Sequence, residues 1–258
     1  MSSLLGKTAI IIQARMGSTR LPGKSMMEIE GKPIIWHVVE RAKKSKKADI
    51  VVIATTTEKS DDALDKFCKA NAISCFRGDL EDVLDRYYNA AKASDAEIIV
   101  RITGDSPLVD PEIIDRAILL LKKGNYDYTA NSQQPWMDGF DVEAFTFAAL
   151  EKSHKEAAMA SEREHVTLHI RNSPAFKKEY IKNDPKLEHV HCSIDRENDL
   201  KFVREVYRLL LAKGLDHDFS YKDVIALLEE KPQLLKINGD SVINEGYYKS
   251  LKEDRKVK

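Results

Sequence analysis

The sequence predicts an α/β protein with a mostly parallel sheet and helices on both of its faces. Two short apolar runs, at 10–12 and 49–54, are continuous and rich in β-branched residues. Such runs are typical of parallel strands that are buried on both faces. A segment with helical periodicity follows each run, and this alternation persists over the first 125 residues. Alternating strands and helices indicate a parallel sheet with helical crossovers.

The first half of the chain carries four predicted strands and four predicted helices. The strands are 10–12, 49–54, 72–76 and 97–102, and the helices are 33–41, 61–70, 80–92 and 111–122. Pro33 and Pro111 each fall in the first turn of a helix, where a backbone N–H is not needed. Gly124 is predicted to end the fourth helix, because glycine readily takes the left-handed conformation found at helix ends.

The pattern changes in the second half of the chain. It predicts an edge strand at 126–130, a loop at 131–141, helices at 145–159 and 164–171, a strand at 189–194, and helices at 198–213 and 221–230. No Ser/Gly-rich linker, repeat or low-complexity tract interrupts the sequence. We therefore expect one domain over residues 1–258, with an inserted arm at about 130–190.

The composition limits the classes of protein to which the chain can belong. Its 258 residues include 41 basic and 42 acidic side chains, which give a net charge of −1. A nucleic-acid-binding protein more often has a basic excess. Cys68, Cys75 and Cys192 are scattered, without the spacing of a zinc site or a disulfide framework. No apolar run approaches the roughly 20 residues that span a bilayer, and the first residues lack the pattern of a signal peptide. We expect a cytoplasmic protein that binds neither nucleic acid nor membrane.

The most informative loop reads IIIQARMGSTRLPGKS and follows the first predicted strand. It ends in Gly-Lys-Ser, as a P-loop does, but Gly17 lies one residue too early for that motif. Pro22 also lacks the N–H that a phosphate-cradling loop supplies. The loop nevertheless carries three cations, Arg15, Arg20 and Lys24. It leaves the carboxyl end of a strand, where open α/β sheets bind ligands. The two alternatives are a phosphate-binding loop and a solvated basic loop.

Two aspartates follow predicted strands. Asp105 lies in ITGDSPLVDP, and Asp195 lies in CSIDREND. Both are expected at the same sheet edge as the basic loop, where a pair of carboxylates suits Mg²⁺, which completes its coordination with water and phosphate oxygens. The alternatives are that Asp105 supports a turn and that Asp195 caps a helix. The acidic stretch DGFDVE is either a substrate-orienting segment or an acidic turn.

Six stretches occur in an order that is typical of one family. They are QARMGSTRLPGK (13–24), FRGDLEDVLDRY (76–87), ITGDSPLVDP (102–111), DGFDVEAF (138–145), SEREHVT (161–167) and SIDRENDL (193–200). Together they resemble the cytidylyltransferases named after spore coat polysaccharide biosynthesis protein F, and more distantly the CMP-KDO and CMP-sialic acid synthetases. The resemblance implies a nucleotide-diphospho-sugar transferase fold of the glycosyltransferase-A kind, with a Rossmann-like sheet. It also implies Mg²⁺-dependent transfer of CMP from CTP to an acidic sugar in surface polysaccharide biosynthesis, and a homodimer in which the arm packs on the partner.

The resemblance also implies roles for particular residues. CTP would be bound by Ala14, Arg15, Arg20 and Lys24, with Arg77 and Gly78 near the base; Mg²⁺ would be bound by Asp105 and Asp195; and the acceptor would be bound by Asp141, Glu143, Glu164 and His165. Arg15, Lys24 and Asp105 are the expected catalytic residues. The chain departs from the sugar-acid synthetases at Thr103-Gly104-Asp105-Ser106-Pro107, where those enzymes have Gln before Gly-Asp and Glu-Pro after it. The identity of the acceptor therefore stays open.

Other functions remain as alternatives. A glycosyltransferase that consumes a nucleotide-sugar would usually carry Asp-x-Asp, and here the sequence is Gly104-Asp105-Ser106. A scaffold without catalysis would have no use for the loop cations and both aspartates together. A cytidylyltransferase with a phosphate or phosphonate acceptor, and a nucleotide other than CTP, also stay open. Residues 244–258 either cap the site, join the dimer or are partly disordered.

Overall fold

The computed structural model describes residues 6–131, 136–182 and 189–257. The strands are β1 (Thr8–Gln13), β2 (Glu28–Ile29), β3 (Lys32–Pro33), β4 (Ile50–Thr56), β5 (Ser74–Gly78), β6 (Ile98–Thr103), β7 (Tyr128–Ala130), β8 (Glu143–Thr146) and β9 (Lys178–Tyr180). The α-helices are α1 (Ile34–Ala42), α2 (Asp62–Ala70), α3 (Val83–Ala93), α4 (Pro111–Gly124), α5 (Phe147–Glu156), α6 (Ala160–Glu164), α7 (Leu168–Asn172), α8 (Glu197–Ala212), α9 (Tyr221–Glu230) and α10 (Glu245–Lys252).

The central sheet has the strand order β5-β4-β1-β6-β8-β7-β9. The four strands from β5 to β6 are parallel, as the sequence predicted. β8 is antiparallel to both of its neighbours, and β9 is parallel to β7. The chain adds β4 and β5 on one side of β1 and β6 on the other. This change of direction at β1 is the point where open α/β sheets place their ligand sites.

Hydrophobic cores lie on both faces of the sheet. Ile10 and Ile12 of β1 belong to one core, and Ala9 and Ile11 belong to the other. This alternation follows from the two-residue period of a strand. Because β1 is buried on both faces, its continuous apolar sequence is explained by its central position.

The four strands and four helices predicted in the first half are confirmed, with shifts at their ends. α3 begins at Val83 and not at Leu80, because the Asp82 side chain caps it by accepting a hydrogen bond from Asp85 N at 2.9 Å. α4 includes Gly124, so the prediction that this glycine ends the helix is wrong. The left-handed residue is Asn125, at φ +47°.

Four predictions for the second half need correction: the edge strand at 126–130, the helices at 145–159 and 164–171, and the strand at 189–194, which is described below. β7 is not an edge strand, because β9 pairs with it and forms the edge. Residues 145–146 belong to β8, and the Thr146 side chain caps α5 by accepting from Ala149 N. The predicted helix 164–171 is broken into α6 and α7 at Val166, whose φ is +54°. The loop predicted at 131–141 is described only in part, since residues 132–135 lie outside the described ranges.

The segment 189–194 is not a strand of the sheet. Its described backbone makes one isolated bridge, between His191 and Asp138. Gly139, at φ +89°, turns against it so closely that a Cβ atom there would lie 2.6 Å from the carbonyl carbon of Cys192. Asp138 N donates to Val190 O at 3.0 Å and Cys192 N donates to Asp138 O at 2.9 Å, and the pairing is limited to this one bridge, next to the turn at Gly139.

β8 and β9, which lie within the predicted arm at 130–190, are part of the central sheet. The described helices include none that is both long enough and apolar enough to cross a bilayer.

Candidate active site

A cleft of about 1030 Å³ opens at the carboxyl ends of β1 and β6. It is lined by residues from the β1 loop, the β5–α3 connection, the β6 turn, α6, Asp195 and the segment around α10. Gly104 allows the β6 turn to pack directly against Ala14, because a Cβ atom at position 104 would lie only 2.8 Å from Ala14 Cβ. Its N–H donates to Gln13 O at 2.8 Å, so the ends of β1 and β6 are held together.

Asp61 fixes the start of the basic loop. Its buried carboxylate accepts from Met16 N at 2.7 Å and from Thr55 Oγ1 at 2.9 Å, and it also bonds to the backbone and side chain of Thr56. Burial would raise the pKa of Asp61, but these hydrogen bonds hold it below its ordinary value. A carboxylate thus connects the loop to β4. Asp61 is not among the site residues predicted from the sequence. The three threonines that precede it, at 55–57, are the sequence feature that indicates a polar end of this strand.

The centre of the site is Lys24, which bridges two carboxylates. Its Nζ atom lies 2.7 Å from Asp105 Oδ2 and 3.0 Å from Asp195 Oδ1, and it donates to Ile194 O at 2.6 Å. The side chain of Lys24 is only 12% exposed. Gly23, at φ +75°, turns the loop so that Lys24 begins a short 3₁₀ helix at the cleft floor. The structure therefore brings the predicted loop lysine and both predicted metal-binding aspartates to one point.

The charges at this point depend on one another. Burial would lower the pKa of Lys24, but Asp105 and Asp195 outweigh burial and raise it. Burial would raise the pKa of Asp105, but the charge and hydrogen bond of Lys24 lower it. The lysine is therefore a cation and Asp105 an anion at neutral pH.

The other loop cations surround the same point. Arg20 lies 2.7 Å from Asp195 and 3.4 Å from Glu245. Arg15 lines the cleft, and among the described residues its guanidinium forms no ion pair. Ala14 also lines the cleft. The four residues predicted to bind the nucleotide phosphates are thus neighbours in one pocket.

The donor set suits Mg²⁺. Carboxylate oxygens of Asp105 and Asp195 converge on one atom, Lys24 Nζ, within 3.0 Å. Mg²⁺ uses one or two carboxylates and keeps water or phosphate at its other positions. No group of three or more potential metal-ligating side chains occurs in the described part of the chain. A site with a pair of carboxylates therefore fits Mg²⁺ better than a metal that needs a full protein cage.

Two of the four predicted acceptor residues, Glu164 and His165, line the cleft. His165 Nε2 is hydrogen-bonded to Ser250 Oγ. Burial, followed by the charges of Arg101 and Arg171, lowers the pKa of His165 to about 4. Its imidazole is therefore neutral at physiological pH.

The other two, Asp141 and Glu143, do not line the cleft. Glu143 is buried in β8, where it pairs with Arg101 and accepts hydrogen bonds from Tyr128 and from Thr167 Oγ1, the latter at 2.7 Å. Burial would raise the pKa of Glu143, but these partners, Arg101 first, lower it to about 2. Burial and then Asp138 raise the pKa of Asp141 to about 7.

Arg77 and Gly78 also lie outside the cleft lining. The guanidinium of Arg77 donates to Thr56 O, Glu58 O and Asp62 Oδ1, at 2.7 to 2.9 Å. On that side the cleft is lined by residues 80–83 and Arg86. Asp82 joins this wall to α6, because its Oδ2 atom accepts from Arg163 Nε at 2.9 Å.

A buried polar network supports the turn that carries Asp195. Asp199 Oδ2 accepts from Asp195 N at 3.1 Å and from Arg196 N at 2.7 Å. His191 lies between two carboxylates, with Nδ1 2.7 Å from Asp138 and Nε2 3.5 Å from Asp199. Burial would lower the pKa of His191, but the two carboxylates raise it to about 10. No pattern in the sequence indicates this network, because its members are separated by up to 61 positions, from Asp138 to Asp199.

The sheet order is that of a nucleotide-sugar transferase fold, with a cationic loop and a pair of carboxylates at the point where the strand order changes direction. The chain belongs to the cytidylyltransferase family, and the family model described as cytidylyltransferase matches residues 9–236. This finding confirms the family to which the six sequence stretches pointed.

Three similar proteins illustrate the relationship. Spore coat polysaccharide biosynthesis protein SpsF of Bacillus subtilis is 34% identical over 230 residues, which are 86% of this chain and 94% of SpsF. A 3-deoxy-manno-octulosonate cytidylyltransferase of Chloroherpeton thalassium is 40% identical over 114 residues, which are 44% of this chain and 45% of that protein. The solved structure of a cytidylyltransferase from Leptospira borgpetersenii has a TM-score of 0.83 at 35% identity, over 92% of this chain and 98% of that one. The predicted fold is therefore confirmed.

Glu143→Gln should destabilise the protein by about 3 kcal/mol, because it leaves Arg101 buried without its counter-ion. The pair stabilises the fold above pH 4.5, and this contribution should be lost as the pH falls toward 2. Urea unfolding at pH 7 measures the loss. Glu164→Gln is the matched control, since Glu164 is exposed. Equal stability of the two variants would contradict the assigned pairing.

His191→Gln should reduce the free energy of unfolding most at pH 6. The pKa of His191 is raised in the folded state, so its contribution is present below about pH 6.5 and is lost as the pH rises toward 10. Urea unfolding at pH 6, 8 and 9.5 should show that the difference in unfolding free energy between variant and wild type decreases as the pH rises. His189→Gln, at an exposed position of the same segment, is the control. A gap that does not change with pH would refute the protonated state.

Proposed function

We propose that this protein is a Mg²⁺-dependent cytidylyltransferase that transfers CMP from CTP to an acidic sugar and releases pyrophosphate. The observation that carries the proposal is the convergence of Lys24, Asp105 and Asp195 at the floor of a cleft beside a cationic loop. Cations and paired carboxylates at one point suit a polyphosphate substrate with its metal ion.

The donor is CTP, for which the family name is the support. The cleft of about 1030 Å³ is large enough for a nucleotide and a second substrate. Ala14, Arg15, Arg20 and Lys24 bind the phosphates. Arg77 and Gly78, which do not line the cleft, remain predictions for the base, and residues 80–83 and Arg86 form the cleft wall on that side.

Asp105 and Asp195 would hold the Mg²⁺ ion, which supplies charge neutralisation on the phosphates when bound. In the reaction, an acceptor hydroxyl oxygen forms a bond to the α-phosphorus of CTP while the bond to pyrophosphate breaks. No covalent enzyme intermediate is needed. Lys24 and Arg15 stabilise the charge that develops on the leaving pyrophosphate, because fixed cations in a partly closed site need little reorganisation.

The acceptor binds beside α6. Glu164 is exposed in the cleft, and the neutral imidazole of His165 can bind a hydroxyl group of a sugar. The names of SpsF and of the 3-deoxy-manno-octulosonate enzyme support a sugar acid used in surface polysaccharide synthesis. Asp141 and Glu143 do not line the cleft, and their acceptor roles remain predictions. A homodimer formed through the arm and a cytoplasmic location remain predictions.

Asp105→Asn and Lys24→Met should each lower turnover by at least ~10²-fold, on the scale of losing one key electrostatic contact. The measurement is pyrophosphate release from CTP and Mg²⁺, with 3-deoxy-manno-octulosonate and sialic acid as trial acceptors. Asp218→Asn is the control, because this aspartate is 84% exposed and pairs only with Lys44 among the described residues.

Near-normal turnover in either site variant would remove that residue from the mechanism. Sugar transfer from a nucleotide-sugar, without pyrophosphate release, would instead favour a glycosyltransferase.

A further inference from the structure

Residues 244–257, here called the closing segment, form one wall of the cleft. Six residues of the segment line the cleft, namely Gly246, Lys249, Ser250, Glu253, Arg255 and Val257. The first four follow one another at intervals of three, one and three residues, which is the spacing of a single helix face. The segment lies beyond residues 9–236, which the family model matches. It therefore adds groups to the cleft that the family assignment does not cover.

Specific contacts hold the closing segment against the rest of the site. Glu245 pairs with Arg20 at 3.4 Å and with Arg196 at 2.9 Å. Ser250 bonds to His165, and the ring of Tyr247 lies 5.1 Å from the His165 ring. Farther along, Ser161 Oγ donates to Asp254 at 2.6 Å, Ala160 N donates to Arg255 O and Val257 N donates to Ala158 O. The segment thus touches both the nucleotide loop and the predicted acceptor residues.

These contacts are polar or aromatic, and α10 has no buried residue. The segment is therefore placed by its partners in the cleft wall and not by a hydrophobic core. Such attachments are individually weak, since exposed ion pairs contribute little. Its position beside the cleft is therefore set by these polar and aromatic contacts.

The segment also contributes two cations to the wall of the cleft. Lys249 and Arg255 line the cleft, and their side chains form no ion pair with any described carboxylate. Lys249 follows Glu245 by about one helical turn, or roughly 5.4 Å along the axis. Glu245 contacts Arg20 of the nucleotide loop and Ser250 contacts His165, so Lys249 lies on the part of α10 between these two contacts.

Arg15 and Arg86 also line the cleft without an ion pair, although Arg86 donates to the backbone carbonyls of Asp79 and Leu80. The cleft therefore holds four cations that have no ion-pair partner in the described ranges. Unpaired cations on the walls of a cleft attract an anionic ligand.

We propose that the closing segment completes the nucleotide site, and that Lys249 and Arg255 bind the triphosphate from the wall formed by this segment. The proposal rests on the proposed function for the presence of CTP. A triphosphate is the most highly charged reactant, and α10 begins beside Arg20 and Asp195, where the phosphates are expected. The carboxylate of an acidic sugar is the other anion that these cations could bind, and the experiment separates the two.

The test compares the wild type with Lys249→Met, Arg255→Gln and the control Lys252→Met. Lys252 belongs to the same helix and is exposed, but it does not line the cleft. Isothermal titration with CTP and Mg²⁺, without acceptor, measures the dissociation constant. Each site variant should bind about 5-fold more weakly or worse, as expected for one charge-assisted contact at an open site. The control should stay within about 2-fold of wild type, and added salt should weaken wild-type binding more than variant binding.

Unchanged CTP affinity in both site variants would overturn the proposal, even if their KM for an acceptor rose. An equal loss in Lys252→Met would also overturn it, because the effect would then be one of general charge. If the wild type itself bound no CTP, the proposed function would fail first. A wild type that binds CTP together with unaffected variants would leave the proposed function standing and refute only this inference.

Discussion

The site depends on one interaction, the bridge from Lys24 to Asp105 and Asp195. These residues come from the β1 loop, the β6 turn and the turn before α8, which are far apart in sequence. Each segment is held by contacts of its own. Asp61 accepts a hydrogen bond from the β1 loop, Gly104 packs against the end of β1, and Asp199 accepts a hydrogen bond from the turn before α8. The fold places both carboxylates within 3.0 Å of the Lys24 ammonium group.

This bridge also explains the electrostatics of the cleft. Two carboxylates brought together would repel each other, and the shared lysine offsets that repulsion. The same carboxylates and lysine suit a polyphosphate that arrives with a divalent cation. The lysine can then pair with a phosphate while the two carboxylates pair with the cation, so that no charge is left unpaired. The position at the strand-order switch follows from the sheet itself, since the loops after β1 and β6 diverge there and leave room for a ligand.

Much of the fold and the charged centre could be predicted from sequence. Continuous β-branched runs identified the parallel strands, and Arg15, Lys24 and Asp105 lie in the segments that follow β1 and β6. Asp195 was predicted from an apolar run at 189–194, although no strand of the sheet forms there. The rest depended on contacts between distant residues. Glu143 belongs to an acidic stretch, yet it is buried against Arg101. The apolar run at 189–194 resembles a strand, but its pairing is limited to one bridge at Asp138, next to the turn at Gly139. Residues 245–257 include Tyr247, Tyr248 and Leu251 at helical spacing, but none of the residues of α10 is buried. The periodicity of this segment therefore did not indicate its place in the cleft.

The most direct test of the account is thermal unfolding with Mg²⁺ and, in turn, CTP, UTP, GTP and ATP. A ligand that binds only the folded state stabilises it by about 2.7 kcal/mol at one hundred times its dissociation constant. The account predicts a higher midpoint with CTP and little change with the other three. A rise with a different nucleotide would contradict the donor. No rise with any nucleotide would contradict the central claim that this cleft binds a nucleoside triphosphate.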